Sequence, residues 1–92
     1  MSPNENGNVG GGGKPPVNII INTRSFPWAE KEITYEQVYE LAYPGQPLGD
    51  GDVARVEYSR GPNRNGGGSL APHGSVHVKP NMIFDVYVTV RS

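Results

Sequence analysis

Thr34-Tyr35-Glu36-Gln37-Val38-Tyr39-Glu40-Leu41-Ala42 is the most informative stretch of the chain. Thr34 and Gln37 stand three apart, the spacing of a capping box. In that motif the Thr hydroxyl accepts from the Gln amide N–H and the Gln side chain reaches back to the Thr N–H. Behind the cap, Tyr35, Val38, Leu41 and Ala42 recur at helical spacing, while Glu36, Gln37 and Glu40 fall on the opposite side. Pro44-Gly45 then closes the helix within about three turns. No second stretch repeats this pattern, so one helix is expected, with an apolar stripe able to cover one face of one sheet.

The segments on either side read as strands. Val17–Thr23 (VNIIINT) is β-branched, with Val17, Ile19 and Ile21 on one face and Ile20 on the other. Arg24-Ser25-Phe26-Pro27 offers turn chemistry, and Phe26–Ile33 is expected to pair back as the second strand of a hairpin. After the helix, Asp52–Tyr58 alternates Ala54, Val56 and Tyr58 against Val53, Arg55 and Glu57. Ser59–Ser69 is a polar, glycine-rich loop. Ser75–Lys79 is a short strand with Val76 and Val78 inward and His77 outward, and Pro80-Asn81 is a turn in which Asn81 suits a left-handed backbone. Ile83–Arg91 alternates most cleanly: Phe84, Val86, Val88 and Val90 on one face, Asp85, Tyr87, Thr89 and Arg91 on the other. On this reading Val86 and Leu41 are both central core positions.

The order strand, strand, helix, strand, strand, strand predicts a single-domain α+β fold of the β-grasp type. It would be a mixed sheet of four to five strands with one helix packed on one face. Parallel pairing of the first and last strands follows from fold analogy rather than from periodicity. The uncovered face should be solvated, which makes His77, Tyr87 and Thr89 the candidate protein-interaction face.

Composition narrows the function classes. Ninety-two residues make one small domain. Residues 1–16 (MSPNENGNVGGGGKPP) bury too little to offset the entropy of ordering them, so they read as a disordered Gly/Pro-rich tail and 17–92 as the domain. Eight basic against nine acidic residues exclude a dedicated polyanion binder, and the absence of Cys excludes disulfides, thiolate zinc sites and a cysteine nucleophile. The longest apolar run is Ile19-Ile20-Ile21, so no membrane span is expected. Residues 1–16 lack the apolar core of a secretory signal, which makes the cytoplasm the expected location.

The remaining motifs are weak. GGGGK at 10–14 is followed by Pro15 rather than Ser or Thr and is preceded by no strand, so it is not a phosphate loop. His73 and His77 lie in a loop and a strand with no third ligand near them in sequence, and read as surface residues. Gly49-Asp50-Gly51-Asp52 lacks the distant Glu of a calcium loop. Arg60–Gly68 has two arginines but no interleaved aromatic, so no nucleic-acid partner is expected. No Ser sits in a nucleophile elbow and no carboxylate pair is fixed on a regular element. With one helix and no second layer there is little room for a buried catalytic site. A protein-binding module without metal or cofactor is expected, not an enzyme.

Several blocks together resemble one family: Ile33-Thr34-Tyr35-Glu36-Gln37-Val38, Leu41-Ala42, Val56-Glu57-Tyr58-Ser59-Arg60-Gly61, Gly68–Lys79 (GSLAPHGSVHVK) and Met82-Ile83-Phe84-Asp85-Val86 running to Thr89 and Arg91-Ser92. Their order and spacing are similar to those of the bacterial multiubiquitin-type ubiquitin-like domain, with Asn81 where that family usually has Gly. The resemblance implies a β-grasp protein modifier activated at its C-terminal carboxylate by an E1-like enzyme. It would be passed to an E2-like enzyme, joined to target proteins, and accompanied by deubiquitinase-like proteins of the same operon. Conjugation would then involve Ser92, preceded by Arg91, where Ser92 is the mature end. A non-conjugating interaction or self-assembly module is the other reading, and a sulfur carrier a more distant one.

Overall fold

The computed structural model describes residues 15–90. The tail expected at 1–16 lies outside them except for the exposed Pro15 and Pro16. The elements are β1 (Val17–Ile21), β2 (Arg24–Trp28), β3 (Glu32–Thr34), α1 (Tyr35–Ala42), β4 (Val53–Ser59), β5 (Gly68–Leu70), β6 (Ser75–His77) and β7 (Met82–Thr89).

The capping box forms as the sequence predicts. The Gln37 N–H donates to Thr34 Oγ1 at 3.0 Å, and the Thr34 N–H donates to Gln37 Oε1 at 2.9 Å. The helix is eight residues long and ends at Tyr43, whose N–H donates to the Tyr39 carbonyl. Tyr35 and Val38 are buried, whereas Leu41 and Ala42 are only half-buried, so Leu41 is not the central core position its spacing suggested. Leu41 and Ala42 pack against the edge of the core rather than inside it.

Five strands form one mixed sheet in the order β2-β1-β7-β4-β5. β7 is central: it runs parallel to β1, with Ile19 opposite Met82 and Ile21 opposite Phe84. It runs antiparallel to β4, from Val53 opposite Thr89 to Ser59 opposite Ile83. Parallel pairing of two strands requires a long crossover, and here the intervening chain includes the helix that covers the sheet. Ile19, Ile21, Val56, Met82 and Phe84 project to the helix side and are fully buried with Val38 and Ile33. This is the β-grasp arrangement, a mixed five-stranded sheet with one helix.

Four expectations are corrected. The first turn falls at Asn22-Thr23, both with positive φ (49° and 70°), and not at Arg24–Pro27, which is strand. A two-residue turn with both φ positive matches the twist of its flanking strands. Pro27 is tolerated because β2 is an edge strand, where a ladder N–H can be dispensed with. Second, the strand expected over Phe26–Ile33 is broken. β2 stops at Trp28, whose Nε1–H donates to the Glu32 carbonyl at 3.0 Å, and β3 pairs with β6 in a separate two-stranded sheet.

Third, the loop expected to run to Ser69 ends two residues earlier, at β5, which pairs Gly68 with Tyr58 and Leu70 with Val56. The glycines there make room for an aromatic ring. A Cβ on Gly68 would stand 2.5 Å from the Tyr58 hydroxyl oxygen, and one on Gly61 would stand 2.8 Å from Tyr58 Cε1. Fourth, Val90 lies beyond β7 and is 69% exposed, so it does not continue the buried row of Phe84 and Val86. The Pro80-Asn81 turn forms as expected, with Asn81 at φ 63° and the Met82 N–H donating to the Lys79 carbonyl.

Candidate functional site

With α1 on one face of the sheet, the residues of opposite parity form its outward face. Antiparallel register places Val53 beside Thr89, Arg55 beside Tyr87 and Glu57 beside Asp85. The Arg55 guanidinium lies over the Tyr87 ring, 4.9 Å from its centroid. Its Nε also meets Glu57 Oε2 at 3.0 Å, two residues along the same strand. Arg55 is thus held between a ring and a carboxylate although its side chain is 64% exposed. Each contact is worth about 0.5–1 kcal/mol at such exposure, so they order a surface more than they stabilise a fold. Glu57 and Asp85 are like charges directly opposite one another, a pairing that destabilises a sheet. Towards the β1 side, Ile20 and Ile83 sit side by side and half-buried. Val53, Tyr87 and Val90 are the exposed large apolar residues among those described.

Tyr87 and Thr89 therefore share a surface as the sequence predicts, but His77 does not join them. It belongs to β6, in the small sheet, opposite Glu32, with Nδ1 3.6 Å from Glu32 Oε2. It is exposed, as its alternation predicts, but it faces outward from another sheet. His73 has a similar role at the mouth of β6. Its backbone N–H donates to Glu36 Oε2 at 3.0 Å and its Nδ1 lies 3.1 Å from the same oxygen. The two histidines join the segment around β6 to β3 and α1. Arg91 and Ser92, the expected conjugation residues, lie outside the described residues. Arg55 and Glu57 were missed as site residues. Their outward parity was legible, but their place beside Tyr87 depends on register.

The glycine-rich turns are closed by side chains. Asp52 Oδ2 accepts from the Gly49 N–H at 3.1 Å within the GDGD stretch. In the 60–67 loop Asn63 Nδ2 donates to the Gly67 carbonyl at 2.6 Å, and a backbone bond from the Gly61 N–H to the Gly66 carbonyl at 2.7 Å adds to it. Among the described residues no three His, Asp or Glu side chains converge, and no helix is long and apolar enough to cross a membrane.

On the helix side of the sheet, a cleft of about 440 Å³ opens between α1 and the loop that follows it. Tyr35, Glu36, Tyr39 and Glu40 line it from the helix; Gln46, Pro47 and Leu48 from the loop. Tyr35 is 7% exposed and its hydroxyl donates to the Ala54 carbonyl at 2.6 Å. Burial raises its phenol pKa above the ordinary 10.0, with smaller contributions from Glu36 and Tyr39.

The family model described as Multiubiquitin aligns with residues 17–89, nearly the whole of the described domain. Neither the curated proteins nor the solved structures contain a significant match.

Proposed function

Because the chain belongs to the multiubiquitin family, a ubiquitin-like family that is typically non-catalytic, we propose that it is a protein modifier. On this reading an E1-like enzyme activates its C-terminal carboxylate and an E2-like enzyme joins it to targets, with Ser92 as the conjugated residue where it is the mature end. E1-like, E2-like and deubiquitinase-like proteins would be its partners. The observation that best supports the reading is the position of β7. The strand that leads towards the C-terminus is the centre of the sheet, clasped by β1 and β4, and delivers the chain at an exposed Val90. A modifier needs such a division: a rigid body for recognition, and a chain end whose reaction does not disturb it. The domain would supply no catalytic group itself.

The test is to incubate the protein with a candidate E1-like enzyme from its own host and ATP, then measure intact mass. The expected result is an adduct through the C-terminal residue that disappears when the carboxylate is amidated. No adduct, or one indifferent to amidation, would overturn the proposal.

A non-conjugating interaction module is the second reading, favoured by the exposed Val53 and Tyr87 on the outward face. It predicts binding or self-association that survives amidation and is lost in Tyr87→Ala. His77→Ala should leave such binding intact, because His77 is in the other sheet.

A further inference from the structure

The cleft between α1 and the loop behind it lies on the side of the sheet opposite Tyr87, and the modifier reading makes no use of it. Glu36 stands in the first turn, where the helix dipole favours a carboxylate, but Glu40 is placed at a cost to the helix. α1 carries Glu36 and Glu40 and no Lys or Arg. The two carboxylates stand at i and i+4, a like-charge spacing that disfavours helix. Glu40 also occupies the end of the helix where the macrodipole favours a cation, and the last turn has no basic residue. Both line the cleft, and each has one oxygen engaged: Glu36 Oε2 by His73, and Glu40 Oε2 by the Gly45 N–H at 3.2 Å.

Tyr39 lines the cleft beside them. Its hydroxyl donates to the Gln46 carbonyl at 2.7 Å and so pins the loop that forms the opposite wall. That wall presents Pro47 and the half-buried Leu48. Paired negative charge beside aromatic and aliphatic surface is complementary to a planar cation on an apolar stem. The volume suits a side chain or two rather than a helix or a strand.

We propose that this cleft receives an arginine side chain presented by a partner protein, its guanidinium paired with Glu36 and Glu40 and its stem laid along Tyr39 and Leu48. Arginine fits better than lysine because its planar fork meets carboxylates with paired N–H donors and stacks on tyrosine. The inference is independent of conjugation, since no step of it involves the C-terminus.

The test titrates the full chain, labelled with 15N, with the dipeptide N-acetyl-Leu-Arg-amide while amide shifts are followed by NMR. A parallel titration uses citrulline in place of arginine, a neutral isostere. The expected result is shifts centred on Glu36, Tyr39, Gly45 and Gln46 with a Kd on the order of 1 mM for so small a probe. The citrulline peptide should bind about tenfold more weakly, as the loss of a charge-assisted pair requires. Glu40→Gln, which keeps an acceptor for the Gly45 N–H, should weaken the arginine peptide by a comparable factor. Equal binding of the citrulline peptide would overturn the proposal, as would shifts centred on Tyr87 and Thr89, or none up to about 10 mM.

Discussion

Tyr35 joins the helix to the sheet through one hydroxyl, and Tyr35→Phe removes that atom and nothing else. The ring stays in its buried place, while the 2.6 Å bond to the Ala54 carbonyl is lost. A buried hydrogen bond of this kind contributes about 1 kcal/mol net, and the acceptor left behind adds to the loss, so the expected cost at pH 7 is about 1–2 kcal/mol. For a domain of this size that lowers Tm by roughly 4–8 °C per kcal/mol. The pH dependence carries a second signature. Burial holds the folded phenol neutral above its ordinary pKa of 10.0. As pH rises past 10 the unfolded tyrosine ionises while the folded one does not, so the unfolded state binds fewer protons and stability falls. The limiting slope is about 1.4 kcal/mol per pH unit for one group. The contribution is fully present below pH 10 and is lost between 10 and the raised folded value. Tyr35→Phe has no such proton to lose, so its stability deficit should shrink as pH climbs from 9 to 11. Urea unfolding of both proteins across that range is the assay. A deficit that stays constant from pH 7 to 11, or a substitution neutral at pH 7, would refute the reasoning.

Two core substitutions should separate positions that look alike in sequence. Val86→Ala empties a nearly fully buried site on the central strand and should cost roughly 2–4 kcal/mol, whereas Leu41→Ala, at a half-buried site, should cost about half that. Equal losses in chemical denaturation would mean that the last helical turn packs more tightly than its exposure indicates. Gly61→Ala would place a methyl 2.8 Å from Tyr58 Cε1 and 3.1 Å from Met82 Cε, against a ring already set at 6.3 Å from that of Phe84. Overpacking of this kind should cost about 1–3 kcal/mol, read as a lower denaturation midpoint.

Much of the fold was legible because its signals are local. Thr34 and Gln37 bond to each other, so the start of the helix is written within four residues. β7 alternates without interruption through Met82, Phe84 and Val86, because one face packs under the helix and the other meets solvent. What was not legible depends on partners far along the chain. β5 is three residues of a glycine-rich stretch, strand only because Tyr58 and Val56 stand ready to pair. The Asn22-Thr23 turn carries no glycine, and its left-handed Thr23 is imposed by the hairpin it closes. The break after Trp28 follows from an indole N–H that finds the Glu32 carbonyl four residues on. No period-two pattern encodes that.

The candidate site marks the same boundary more sharply. Alternation says which side chains leave a sheet, but two outward residues share a surface only if their strands share that sheet. Tyr87 and Thr89 meet this condition with Arg55, because β4 lies against β7 in a register seven residue pairs long. His77 does not, because β6 pairs with β3 in the separate two-stranded sheet. The histidines are taken up by Glu32 and Glu36, on the side of the fold where helix and small sheet meet. The outward face is therefore narrower than parity alone drew it: a guanidinium held between Tyr87 and Glu57, with Val53 and Thr89 beyond. The unfavourable placing of Glu57 directly opposite Asp85 is tempered by the same Arg55 that stacks on Tyr87, through its contact with Glu57. Removing Arg55 would then leave the Glu57 carboxylate without its cation and release the Tyr87 ring at once. Arg55, more than any histidine, is the residue on which the shape and charge of this face depend.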